Sequence, residues 1–117
     1  MTPIKGEIWL VNLMPIVGHE QDKVRPCVVI SNDQVNTKLE ISIVVPLTGV
    51  PRYTQSGKLS PSMVEILPPE GGVTKTSYSL AHQVRTISHL RFKKKLGSLT
   101  ASRMKEIVAS VQEIIEH

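Results

Sequence analysis

The chain has little of what many enzymes and small secreted domains depend on. It holds one cysteine, Cys27, so no internal disulfide can form. Cys27 stands within an apolar run and reads as a small core residue rather than a nucleophile. The four histidines, His19, His82, His89 and His117, are scattered. None has a Cys or His at ligand spacing, and no calcium loop is present, so no metal is expected. No glycine-rich loop opens a helix to cradle a nucleotide, and no Gly-x-Ser-x-Gly elbow appears, so neither a cofactor nor a serine nucleophile is expected. Aromatic residues are scarce, namely Trp9, Tyr53, Tyr78 and Phe92, which argues against a broad base-stacking platform. No apolar stretch approaches the roughly 18 residues needed to span a membrane. The first seven residues lack a signal-peptide pattern. The expectation is a cytoplasmic chain with no membrane partner.

What remains is a 117-residue chain, 40% hydrophobic, with a net charge of +4. That length predicts one domain over 1–117, large enough to bury a core without disulfides or metals. The charge suits an anionic partner such as nucleic acid. The most informative stretch runs from Lys23 to Ser31. Arg25 stands at the mouth of Cys27-Val28-Val29-Ile30, four β-formers that read as a strand buried on both faces. Pro26 has no N–H to donate and belongs at a strand entrance. An arginine held by rigid backbone at such a rim can meet a phosphate. The alternative is an arginine that caps the strand and pairs with a carboxylate.

Residues 7–13 alternate and predict a strand buried on both sides, with residues 14–24 as a loop. Residues 33–39 predict one short helical turn. Residues 41–48 predict a strand, with Ile41, Ile43, Val45 and Leu47 on one face and Ser42, Val44, Pro46 and Thr48 on the other. Pro46 predicts an edge or bulge. Residues 49–60 are a polar loop, 62–67 a short strand, 68–72 a hard turn, and 73–77 extended. Gln83-Val84-Arg85-Thr86-Ile87 is rich in β-formers. Thr100 can cap a terminal helix, whose apolar stripe is Met104, Ile107, Val108, Val111, Ile114 and Ile115. Five or six strands and a terminal helix predict a mainly β, α+β fold: a small curled barrel or sandwich with helices laid against it.

A basic strand mouth, the hydroxyl of Thr48 and a polar loop suffice to cleave RNA without a metal. RNA carries its own nucleophile, the 2′-OH beside the scissile phosphate. The protein then has to position it, move two protons and stabilise the developing charge.

Five motifs in order resemble the MazF/PemK toxins. They are Gly6-Glu7-Ile8-Trp9-Leu10-Val11; the loop Gly18-His19-Glu20-Gln21 leading into Lys23 to Ser31; Val45-Pro46-Leu47-Thr48; Gly71 to Ser77; and Gln83 to Ser88. Lys95-Leu96-Gly97-Ser98-Leu99 before an amphipathic helix completes the order. The resemblance implies an SH3-like barrel, a homodimer, and a toxin of a type II toxin–antitoxin pair. It implies a metal-independent endoribonuclease that cuts single-stranded RNA at short sequences, leaving 2′,3′-cyclic phosphate and 5′-OH ends. The family's catalytic Arg falls on Arg25 and its catalytic Thr on Thr48. Its RNA-contacting loop falls on His19, Glu20 and Gln21, and a groove-lining position on Gln83. Glu20 is open to three roles: accepting the 2′-OH proton, binding a base edge, or standing solvated. An antitoxin with an acidic, flexible C-terminal segment is the implied partner.

Two other readings compete. CcdB-type toxins share a similar barrel and poison gyrase by binding, but they carry a Trp at the extreme C-terminus. This chain ends Glu113-Ile114-Ile115-Glu116-His117 and lacks it. A catalytically silent binding barrel is the third reading, and the presence of both Arg25 and Thr48 argues against it.

Overall fold

The computed structural model describes residues 2–13 and 24–116. Its centre is an antiparallel sheet of seven strands: β1 (Glu7–Asn12), β2 (Val24–Val29), β3 (Ile41–Thr48), β4 (Glu65–Ile66), β5 (Ser77–Ser79), β6 (Arg85–Ser88) and β7 (Phe92–Ser98). Two helices complete it, α1 (Asp33–Leu39) and α2 (Ala101–Glu116). The spatial order is β4-β5-β3-β2-β1-β7, with β6 also paired to β3. The sheet curls into a half-barrel, in accord with the mainly β, SH3-like architecture expected.

The two-residue period of the strands builds two cores, one on each face. Ile8, Val28, Val45 and Leu47 join Ile66 and the α2 residues Met104, Ile107 and Val111. Trp9, Val11, Cys27, Val29 and Val44 join Ile87 and Phe92 on the other side. The register Ile8↔Val28 and Val28↔Val45 stacks like with like across three strands. The apolar stripe of α2 holds as far as Val111, whereas Ile114 and Ile115 are exposed. The Thr100 hydroxyl accepts from Arg103 N at 3.1 Å, so it caps α2 as expected.

Pro46, expected at an edge or bulge, lies inside β3 between β2 on one side and β5 and β6 on the other, at the gap between the rungs to β6 (Ile41 to Val44) and those to β5. Up to Pro46 it is laddered to β2, and beyond it Leu47 and Thr48 pair with Ser79 and Tyr78 of β5. Several boundaries differ from the sequence reading. The 33–39 turn is a seven-residue helix, capped by the Asn32 side chain (2.9 Å from Val35 N) and ended by Glu40 at φ 55°. The 62–67 strand shrinks to Glu65–Ile66, because Met63 N turns back to the Ser60 carbonyl. The extended stretch after Gly72 joins the sheet only at Ser77, and residues 81–83 form a 3-10 turn before β6.

Two buried polar groups tie the elements together. Glu7 Oε1 accepts from Trp9 Nε1 and Ile4 N, both at 2.9 Å, and its Oε2 pairs with Lys95 Nζ at 2.9 Å. Lys93, Lys94 and Lys95 are all exposed, and Lys95 is the one of the three with an ion pair among the described residues. On α1, Asn36 is 1% exposed. Its Oδ1 accepts from the hydroxyls of Ser31 and Ser42, and its Nδ2 donates to the Ser31 carbonyl. The Ser42 hydroxyl lies 2.8 Å from His89 Nε2, and Ile43 N donates to the Ser31 hydroxyl.

Candidate active site

Cys27↔Pro46 is the last rung of the β2–β3 ladder. Counting two residues outward on each strand reaches Arg25 and Thr48, so strand alternation puts their side chains on one face. Both line a cleft of about 390 Å³. No β2–β3 rung follows this one, so the ladder is open at this point, which makes room for a ligand between them. The 80–85 segment follows β5 along the same side of β3 and brings Leu80, Gln83 and Arg85 to the cleft, while the loop after β3 adds Val50 and Arg52. Leu13, at the end of β1, closes one wall.

The cleft therefore gathers three guanidiniums, Arg25, Arg52 and Arg85, around one hydroxyl. All three arginines are exposed, and among the described residues none forms an ion pair. The other reading of Arg25, a strand cap held by a carboxylate, finds no such carboxylate among the described residues, which leave out Glu20 and Asp22. The Thr48 oxygen accepts from Val50 N at 3.2 Å, which leaves the hydroxyl proton available to a ligand. Beneath the arginines lies Cys27, fully buried. Burial pushes its thiol up to about 12, against the lowering effect of Arg85 and Arg25 nearby. It is a core residue, as the sequence indicated.

Of the site residues named from sequence, the structure brings together Arg25, Thr48 and Gln83. His19, Glu20 and Gln21 lie outside the described residues, as does His117. His82 is exposed and does not line the cleft, and His89 belongs to the buried Ser42 network. Among the described residues no cluster of three or more His, Cys, Asp or Glu is placed to hold a metal. Arg52 and Arg85 were not singled out by the sequence reading. Arg85 carried a usable signal: it lies two residues from Gln83 in a β-rich run, with Ile87 as the buried residue of the same parity. Arg52 carried none, being one cation in a polar loop.

Comparison with known proteins gives a consistent result. A family described as the PemK-like, MazF-like toxin of type II toxin–antitoxin system matches residues 4–115. Endoribonuclease MazF of Staphylococcus saprophyticus is 36% identical over 103 residues, which are 88% of this chain and 82% of that one. MazF from Deinococcus radiodurans superposes with a TM-score of 0.79 at 20% identity, covering 100% of this chain and 99% of the other. A mycobacterial endoribonuclease, solved with its cognate antitoxin, gives 0.77 at 21% identity over 97% and 95% of the two chains.

Proposed function

This chain belongs to the PemK-like, MazF-like toxin family of type II toxin–antitoxin systems, and from that premise we propose that it is a single-domain, sequence-specific, metal-independent endoribonuclease for single-stranded RNA. The observation that carries the reading is the cleft lined by Thr48 and by three arginines that form no ion pair among the described residues.

In the proposed reaction the 2′-oxygen attacks the adjacent phosphorus and the bond to the 5′-oxygen breaks. The products carry a 2′,3′-cyclic phosphate and a 5′-OH. Negative charge grows on the phosphate oxygens in the transition state, and donors fixed in advance stabilise it most effectively. Arg25, on rigid β2, is assigned the bidentate clamp, and Arg52 and Arg85 add to the field. Thr48 donates its hydroxyl proton to a phosphate oxygen. Gln83 offers both a donor and an acceptor to a base edge.

Two protons move: one leaves the 2′-OH, and one reaches the departing 5′-oxygen from solvent water. None of the described cleft residues is a ready base. Glu20 is the carboxylate that the resemblance offers for the first transfer, with His19 and Gln21 beside it as RNA contacts. A guanidinium is a poor proton donor, so Arg25 is assigned charge stabilisation. The proposed assembly is a cytoplasmic homodimer, held inactive by an antitoxin whose acidic C-terminal segment lies across the cationic cleft. The mycobacterial neighbour solved with its antitoxin supports such a pairing. A gyrase-binding toxin of the CcdB type is not favoured, since the family matched over residues 4–115 is PemK/MazF.

The test is incubation of purified protein with a long mixed RNA in EDTA, followed by sequencing of the new 5′ ends. Recurrent short cut sites with 5′-OH ends are expected. Deoxyribose 5′ to the scissile phosphate should block cleavage but not binding. Strict magnesium dependence, or cleavage of all-DNA strands, would refute the mechanism.

A further inference from the structure

We propose that Arg52 holds a phosphate adjacent to the scissile one, and that the 52–60 segment is built to present it there; this rests on the nuclease reading above and sharpens the part given to Arg52. The segment is a small hairpin rather than a loose loop. Ser60 N donates to the Arg52 carbonyl at 2.9 Å and Thr54 N to the Lys58 carbonyl at 2.7 Å, with Tyr53 bridged to Leu59 between them. Gly57, at φ 86°, closes the turn and donates its N–H to the Thr54 carbonyl at 2.9 Å. An isolated hairpin is marginal in water, so this one needs a footing.

The footing lies beside Thr48. Leu59 packs on the buried cluster of Met63, Tyr78 and Leu80, and Tyr78 is the β5 residue paired with Thr48. Arg52 N donates to Met63 Sδ at 3.4 Å, which fastens the backbone at Arg52 to the same cluster. Alternation sends Tyr53 and Leu59 to one side of the hairpin and Arg52 to the other, where it lines the cleft. The Cys27 thiol feels the charges of Arg85 and Arg25, so those two stand together over β2. Arg52 comes in separately, from the chain beyond Thr48. A phosphodiester has two free oxygens. A bidentate Arg25 and the Thr48 hydroxyl engage both at the scissile position. A further guanidinium on its own element is then placed for the next charge along the strand.

The probe is an oligonucleotide with one cut site, made with ribose for cleavage or with deoxyribose 5′ to the scissile phosphate for binding. Each phosphate in turn is replaced by a neutral methylphosphonate. In wild type, neutralising one phosphate adjacent to the scissile one should weaken binding roughly two- to fivefold, the size of one exposed ion pair. Arg52→Ala should weaken binding by a similar factor without lowering the melting temperature. It should also reduce the log–log salt slope by about 0.7 and raise KM more than it lowers kcat. In Arg52→Ala the same methylphosphonate should cost nothing further, a non-additive result that marks direct contact. Arg52→Lys should recover most of the loss, because a lysine meets a phosphate as a point charge. Additive losses at both adjacent phosphates, or an Arg52→Ala defect confined to kcat, would overturn the assignment while leaving the nuclease intact. A wild type that cuts no RNA would overturn the nuclease reading and the Arg52 contact with it.

Discussion

Replacing Arg25 with alanine should lower activity and, at the same time, slightly raise stability. Arg25 is exposed, has no ion pair among the described residues, and shares its cleft with Arg52 and Arg85. Removing one preorganised donor from a site of developing charge typically costs about 10²- to 10³-fold in kcat. The effect on folding has the opposite sign, because the variant loses like-charge repulsion and no described attraction. Interactions between exposed charges amount to about 0.2–1 kcal/mol. For a chain of this size that corresponds to a rise of roughly 1–5 °C in Tm. The rise should be largest near 0.01 M salt, where the screening length is about 30 Å, and vanish near 1 M, where it is about 3 Å. Arg25→Lys separates the two effects: it keeps the repulsion, and so the wild-type Tm, but lacks the planar fork and should recover little activity. Thermal melts at both salt concentrations, beside single-turnover cleavage, provide the measurement. A fall of several degrees in Arg25→Ala would show that Arg25 is a structural ion-pair partner. Near-wild-type cleavage would remove it from the site.

Three further outcomes are expected. Cys27, with its thiol raised to about 12 by burial, should resist thiol reagents at pH 8 in the folded protein and react on denaturation; rapid labelling of the native state would contradict its place in the core. Burial works to raise the Glu7 pKa, but hydrogen bonds from Trp9, Lys95 and Ile4 N outweigh it and hold the carboxyl below 4.5. Its stabilisation is therefore complete above pH 4.5 and lost as pH falls through the lower folded value, so Glu7→Gln should cost about 1–3 kcal/mol at pH 7, with the gap narrowing in acid melts; a gap that widens in acid would reverse the sign argued here. Gly97→Ala should destabilise by about 1–3 kcal/mol, since its Cβ would stand 2.7 Å from the Gly71 backbone; an unchanged denaturation midpoint would show that the 70–72 turn yields freely.

The parts of the fold legible in the sequence were those whose burial is local and periodic. Cys27 to Ile30 announced a strand buried on both faces, and the stripe from Met104 to Val111 announced a helix on the core. Pro46 announced an edge or bulge, but the structure buries it inside β3, paired with Cys27 on one side and placed on the other between the β6 and β5 rungs, where its missing N–H is tolerated. Boundaries after residue 60 were less legible, because short strands there depend on pairing with distant chain rather than on their own pattern. Glu65–Ile66 pairs with Ser77 and Tyr78, and only those two rungs decide its length. The lining of the candidate cleft was legible where it lay on β2 and β3. Arg52 was not, because a loop cation gains meaning only from the distant residues it is folded against.

In the joint between α1, β3 and the turn after β6 the direction of each hydrogen bond is fixed by a carbonyl. The Ser31 carbonyl can only accept, so the Asn36 atom facing it must be the amide nitrogen, and the atom facing the two hydroxyls must be oxygen. Ser42 therefore directs its only proton at Asn36 and can offer His89 nothing but lone pairs. Nε2 of His89 must carry hydrogen whether the ring is neutral or charged. The joint thus runs in one direction, from His89 through Ser42 to Asn36, with each donor matched to one acceptor.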